Sequence, residues 1–418
     1  MKTRMINPSK RTYANAVVIS LIGLMYSCSA GSKGDSSSDS EERLSAAVED
    51  YAELTPDEFV EKFNLRESAR PVREMPGWTR LEKVVVEMPG NEPWDDRFER
   101  LEFLQEVAPE VEFVPVKNLA DAIERGALED AQATIGLGCG PSTIDAIGPG
   151  VHWIQSGSVG LDRCFNTAGQ DAQRMQDIMK ERNILVSSIR DMTKHAIAQH
   201  SLTIMLSLIG GMDIHTERQR NHIWGRTRTD VVRDKYLDTE FQDLTLFVVG
   251  LGSIGTEVAR LANALGMRVV ATRNSSRSGP DFVEYVGLSD EMYELANEAD
   301  IVFAAVPPTA ATLGLFDMKF FDAMKESAYF LSIARLGVIN WDDLKEALKS
   351  ERIAGFGTDD LPQDDFELWD LPRVIMTPHV SDYSPRYRDN QYVFFRENLR
   401  RYIAGEPLLN LIDINRGY

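Results

Sequence analysis

Phe247-Val248-Val249-Gly250-Leu251-Gly252-Ser253-Ile254-Gly255 is the stretch on which the reading of this chain turns. A short apolar run, the end of a strand, passes without a gap into G-x-G-x-x-G. Gly250 permits a tight turn, Gly252 lets the backbone approach a pyrophosphate, and Gly255 lets the next helix pack closely on the strand. Ser253 and Ile254 open that helix, whose free N–H groups favour phosphate. Residues 257–265 continue as an amphipathic helix and 268–271 as a strand. Strand, turn, helix and strand thus follow in the order that a dinucleotide-binding unit requires.

The tip of the second strand bears on which dinucleotide fits. An acid about 20 residues beyond the glycines would bond the ribose hydroxyls of NAD, whereas an arginine accommodates the 2′-phosphate of NADP. Here the tip reads Ala271-Thr272-Arg273-Asn274-Ser275-Ser276-Arg277, with no acid. Arg273 can grip a phosphate through a charge-assisted fork. The expectation is NADP, held by Arg273, Asn274 and Ser275 with help from Arg277. The alternative is NAD, with Arg273 stacked on the adenine.

Outward from this unit, strand and helix patterns alternate along the chain. Strands are expected at 81–86, 111–116, 133–137, 151–155 and 184–188. One long apolar helix follows over 194–212. A second run has strands at 244–249, 268–271, 301–304, 328–333, 355–358 and 374–376. Alternation of this kind means parallel sheets, so two doubly wound α/β domains are expected. We place a substrate domain at 79–190, completed by an aromatic-rich helix within 381–418, and a dinucleotide-binding domain at 191–380.

The first 28 residues read differently. A basic start, MKTRMINPSKR, is followed by an apolar stretch and then Cys28, in the manner of a secretory signal. Leu24-Met25-Tyr26-Ser27-Cys28 resembles a bacterial lipoprotein signal, so Cys28 is a candidate lipid anchor and the protein is expected to be exported, with a cytoplasmic enzyme as the alternative. Residues 29–78 read as a polar tether and preamble.

Composition narrows the partners. Of 418 residues, 45 are Lys or Arg and 65 Asp or Glu, a net charge of −20. Such a surface repels phosphate backbones, and nucleic acid is excluded as an expected partner. Cys28, Cys139 and Cys164 are too few and too scattered for a disulfide framework, and none has zinc-site spacing. Cys139 and Cys164 are read as small core or pocket residues. No metal is expected. Of the histidines, His200 lies in the long apolar helix and is read as a hydrogen-bonded packing residue.

Further motifs occur in series: Asp300–Pro308 (DIVFAAVPP), Leu313–Phe316, Ser332–Ile339 (SIARLGVI), Ile353–Gly355, Asp359 and Leu368–Val380 (LWDLPRVIMTPHV). Together with Trp153–Asp162 (WIQSGSVGLD), the series resembles the D-isomer-specific 2-hydroxyacid dehydrogenases, over about residues 80–412. The resemblance implies a flavodoxin-like substrate domain beside a Rossmann cofactor domain. The implied reaction is hydride exchange between a nicotinamide and a small 2-oxo or D-2-hydroxy acid. His379 matches the family's general acid/base, and Arg335 the arginine that grips the substrate carboxylate. Val159 and Gly160 would bind that carboxylate through backbone N–H groups. Asp359 matches an acceptor for the nicotinamide amide, and Pro307 and Ala334 fall at cofactor-binding positions. The family usually has a glutamate five residues after that aspartate, pairing with the histidine. Here that position is Asp364, our candidate, and Asp360, Asp365 or Glu367 could take its place. The resemblance also implies a homodimer. A rival reading from another class is a nucleotide-binding sensor or scaffold that keeps the fold without turnover.

Overall fold

Two parallel sheets organise the computed structural model, which describes residues 54–88, 94–165, 170–224, 240–384 and 387–415. The leader, Cys28 and the tether as far as residue 53 lie outside the described residues. In the first sheet, β1 (Lys83–Glu87), β2 (Glu112–Val116), β3 (Ala133–Gly136), β4 (Trp153–Ser156) and β5 (Leu185–Ser187) lie in the order β2-β1-β3-β4-β5. In the second, β6 (Thr245–Val249), β7 (Arg268–Thr272), β8 (Tyr285–Gly287), β9 (Ile301–Ala304), β10 (Tyr329–Ser332), β11 (Gly355–Thr358) and β12 (Val374–Met376) lie in the order β12-β11-β10-β9-β6-β7-β8. The two α/β domains expected from the alternating pattern are present.

Continuous apolar strands explain this architecture. Thr245–Val249, Ile301–Ala304 and Tyr329–Ser332 are buried along their whole length, as strands covered by helices on both faces must be. One face of the second sheet carries packed rings: Phe316, Phe320, Phe321, Phe330 and Phe356 are all fully buried. Each contributes roughly 1.5–3 kcal/mol by leaving water. In both sheets the order reverses between two central strands, β1 and β3 in the first and β6 and β9 in the second. Crevices beyond the C-terminal strand ends at such reversals are where open α/β sheets bind ligands.

Three local expectations need correction. The apolar helix stops at Ile209 instead of running to Met212, and a second helix, Met212–Arg220, leaves it at 71°. Gly210-Gly211 makes the break, because Gly211 takes a left-handed φ of 61° that ends α-helical bonding. The stretch from residue 54 to 78 is no tether. Helix Pro56–Phe63 is closed by a Thr55/Glu58 capping box. Beyond it, Leu65 and Val72 are buried, and Glu67 pairs with Arg401 at 2.8 Å. Finally, Cys139 and Cys164, both buried, form a disulfide.

The helix Tyr387–Ala404 returns the chain to the first sheet. Tyr402 stacks on Trp153 with ring centroids 4.7 Å apart, and Asn398 donates to the buried Gln155 at 2.8 Å. Both contacts are to β4, so the end of the chain braces the strand that leads into Gly157–Gly160.

Candidate active site

The glycine turn has the shape that its sequence demands. Gly250 has φ 100°, and a Cβ there would meet the Ala305 carbonyl oxygen at 2.7 Å. At Gly255 a Cβ would lie 2.2 Å from the Gly250 carbonyl oxygen, which only close helix–strand contact produces. Gly252 is different: nothing lies within 4 Å of its Cβ position, so the space in front of it is open. It is also the N-cap of helix Ser253–Ala264, whose first-turn N–H groups face that space with their partial positive charge. An open, backbone-lined cradle at a twelve-residue helix fits a pyrophosphate.

Arg273 stands beside this cradle. The carbonyl of Thr272, the preceding residue, accepts from Gly250 N at 3.2 Å and Leu251 N at 2.9 Å, which joins the tip of β7 to the glycine turn. The Arg273 guanidinium donates to Ser278 O at 3.2 Å, and Asn274 and Ser275 are exposed next to it. Arg277 is turned elsewhere, pairing with Glu291 at 2.7 Å and donating to Tyr285 Oη at 3.0 Å.

Across the sheet, the ends of β9 to β12 carry the remaining candidates. Pro307 follows β9, and its carbonyl accepts from Thr312 Oγ1 at 2.5 Å. Ala334 N donates to Ser332 Oγ at 3.2 Å, and Arg335 comes next. Asp359 and Asp360 follow β11, and Thr377-Pro378-His379 follows β12. His379 has φ 57°, an uncommon left-handed conformation for a residue with a Cβ, of the kind that clusters where side-chain placement is over-determined.

Asp359 fixes that conformation. Its Oδ1 accepts from Thr377 Oγ1 at 2.5 Å and Val380 N at 3.0 Å, and its Oδ2 from Ser381 N at 2.8 Å. Burial alone would raise its carboxyl pKa, but these hydrogen bonds outweigh it and hold the pKa below the usual value. His200 Nε2 lies 2.9 Å from Thr377 Oγ1 and so braces the same turn from the long helix.

The carboxylate on the histidine is Asp360, not Asp364. Asp360 Oδ1 lies 3.3 Å from His379 Nδ1, and its Oδ2 accepts from Leu336 N at 3.2 Å. One side chain therefore spans the histidine turn and the segment just after Arg335. The Asp360 hydrogen bond raises the His379 pKa; burial and the nearby positive charge of Arg335 oppose the rise without cancelling it. Asp364 lies exposed in a turn. Asp365 is held by Lys345 at 2.8 Å, and Glu367 pairs with Lys349.

Two further carboxylates were not anticipated from the sequence. Asp382 is half-buried within the electrostatic reach of both His379 and Arg335; burial raises its pKa, and the two positive charges only partly offset this. Its position three residues after His379 was the available signal. Glu87 ends β1 with its Cβ against Gly136, and burial pushes its pKa up to about 7.

The first sheet supplies a loop. Gly157 N donates to Gly136 O at 3.2 Å, and its carbonyl accepts from Gln391 Nε2 at 2.8 Å and Tyr387 Oη at 3.3 Å. Val159 and Gly160 are partly exposed, and nothing among the described residues accepts from their N–H groups.

Comparison with known proteins bears on what these features amount to. Residues 202–381 match the model of the D-isomer specific 2-hydroxyacid dehydrogenase NAD binding domain. The chain is 27% identical over 270 residues to human (Homo sapiens) glyoxylate reductase/hydroxypyruvate reductase, covering 63% of this chain and 78% of that protein. It is 29% identical over 240 residues to a D-lactate dehydrogenase of Streptococcus agalactiae, covering 52% and 68%. Residues 202–381 are therefore a cofactor domain of the D-isomer-specific 2-hydroxyacid dehydrogenase type. The matched domain and the names of the relatives give the reaction class, NAD(P)-dependent oxidoreduction. The fold of the chain is shared with an NADPH-dependent glyoxylate/hydroxypyruvate reductase from Sinorhizobium meliloti solved with NADP and sulfate. That likeness has a TM-score of 0.64 at 20% identity, over 81% of this chain and 100% of the other. A dehydrogenase of the family from Lactobacillus delbrueckii, solved with NAD, gives 0.59 at 22% identity over 79% and 100%. The matched cofactor-domain segment contains Gly250, Arg273, Arg335, Asp360 and His379.

Proposed function

We propose that the protein reduces small 2-oxo acids to D-2-hydroxy acids with NADPH, using His379 as general acid and Arg335 as carboxylate clamp. The observation that carries this reading is the double reach of Asp360, to His379 Nδ1 and to the backbone after Arg335. From the end of β11 it links the turn of an imidazole with a raised pKa, past β12, to the segment of a guanidinium, past β10, the strands on either side.

The chemistry follows from what each group can do. A bound reduced nicotinamide supplies the hydride, and carbonyl reduction then builds negative charge on the substrate oxygen. Asp360 holds the Nδ1 proton of His379, which leaves Nε2 to deliver its proton to that oxygen. Arg335 offers a planar fork to the carboxylate, and the N–H groups of Val159 and Gly160 close on it from the other side. NADP rather than NAD is supported by Arg273 beside the cradle and by the lack of an acid at the tip of β7.

Turnover on a panel containing glyoxylate, hydroxypyruvate and pyruvate, with either cofactor, tests the reading. We expect NADPH to be preferred and Arg273→Asp to reverse that preference. An unchanged preference would remove the NADP assignment, and no turnover on any 2-oxo acid would remove the activity.

The role of Asp360 has its own pH signature. General-acid catalysis needs protonated His379, so reduction should decline as pH rises through a pKa lifted above the usual histidine value. Asp360→Asn takes away the largest cause of that lift, and the decline should begin at lower pH. Asp364→Asn should leave it in place. A shift in the second variant and none in the first would restore Asp364 as the partner.

A further inference from the structure

Cys139 and Cys164 lie 25 residues apart in sequence, with Cα atoms 5.2 Å apart across the disulfide, and both are almost wholly buried. Cys139 stands three residues past the end of β3. Cys164 stands four past Gly160, in the short helix Asp162–Phe165. Because Gly136 is paired opposite Ser156 in the β3–β4 ladder, both cysteines sit on extensions of neighbouring strands at the same end of the sheet.

Gly157–Gly160 runs between these two anchorages. Its entry is held by hydrogen bonds, Gly157 N to Gly136 O and the Gly157 carbonyl to Gln391 and Tyr387. At its exit, Leu161 O accepts from Cys164 N at 2.9 Å and Phe165 N at 3.0 Å, so the turn closes directly onto the crosslinked residue. The β3 extension on the other side of the bond reads Gly138-Cys139-Gly140, and a Cβ at Gly138 would touch nothing within 4 Å. The extension is held at its start by buried Leu137 and at its end by Gly140, which caps helix Pro141–Ala146, with the Cys139 side chain between them. Leu161 and Phe165 pack the loop's exit into the core, and the disulfide adds the covalent tie between that exit and the extension of β3.

We propose that the Cys139–Cys164 disulfide is a positioning crosslink for the substrate: it holds Gly157–Gly160 in the shape in which the Val159 and Gly160 N–H groups receive a carboxylate. This rests on the carboxylate role given to that loop under the proposed function. Substrate affinity then depends on the redox state of the pair. In reduction, one thiolate of an external dithiol attacks a cysteine sulfur and breaks the S–S bond. That frees the other cysteine and leaves the attacked one in a mixed disulfide, from which the dithiol's second thiol displaces it, leaving two protein thiols and one cyclic disulfide.

The test compares untreated protein, protein reduced with dithiothreitol, and the double variant Cys139→Ala/Cys164→Ala. Two quantities are read: KM and kcat for a 2-oxo acid, and deuterium exchange of peptides covering 157–165. Breaking the crosslink should raise KM about tenfold, the worth of one well-placed charge-assisted contact, leave kcat and NADPH affinity near their starting values, and speed exchange in the loop. Faster exchange with unchanged KM, or no change in either, overturns the proposal, as do free thiols at 139 and 164 in protein purified without reductant. If untreated protein turns over no 2-oxo acid, the proposed function has failed instead. Unchanged loop exchange would then still overturn the crosslink.

Discussion

His379→Gln should lower kcat for 2-oxo acid reduction by about 10²–10⁴-fold, the usual span for a lost general acid. Glutamine still offers an N–H to the substrate oxygen but has no proton to give at neutral pH. KM should stay close to its starting value, since Arg335 and the Gly157–Gly160 loop remain. The left-handed backbone at this position sharpens the expectation: Asp359 holds the turn through Thr377, Val380 and Ser381, with no contact to the imidazole itself. The variant should therefore keep its melting temperature and cofactor affinity. Steady-state kinetics alongside thermal unfolding check this, and a folded variant with near-normal kcat would show that the proton comes from elsewhere.

Arg335→Ala should reduce kcat/KM by about 10²–10⁴-fold, since each hydrogen bond to a charged partner is worth about 1.5–3 kcal/mol and the fork makes two. Arg335→Lys should recover only part of this, because an ammonium cannot reproduce the planar fork. A second effect separates this arginine from an ordinary anchor. Its positive charge holds the His379 pKa down, against the lift from Asp360. Removing it should let that pKa rise further and carry the decline in residual activity to higher pH, opposite to the shift expected for Asp360→Asn. A pH profile that moves the same way in both variants would mean that the two groups do not share a site.

How far the sequence could be read depended on the range of the forces involved. The glycine turn was legible because its constraints are local and steric: Gly250 and Gly255 each face a carbonyl oxygen that no Cβ could approach. Arg335 and His379 were legible because each stands in a recognisable motif just past a strand. The partner of His379 was not, because counting five residues on measures distance along the chain and not through space. Lys345 and Lys349, on a helix twenty residues earlier, hold Asp365 and Glu367, while Asp360 turns to the histidine. The disulfide escaped for a similar reason, since 25 residues separate its halves and only the pairing of β3 with β4 brings them together. The break at Gly210-Gly211, by contrast, was written in two consecutive glycines.

Asp359 also affects how any mutational survey of this enzyme should be interpreted. Its oxygens are engaged by the chain segment that carries the imidazole, so replacing it would disturb the acid's placement whether or not the residue ever meets a nicotinamide. Screening by turnover alone would rank position 359 with the chemistry. Only titration of cofactor affinity in a variant whose histidine turn is shown to be intact would separate a ligand contact from scaffolding.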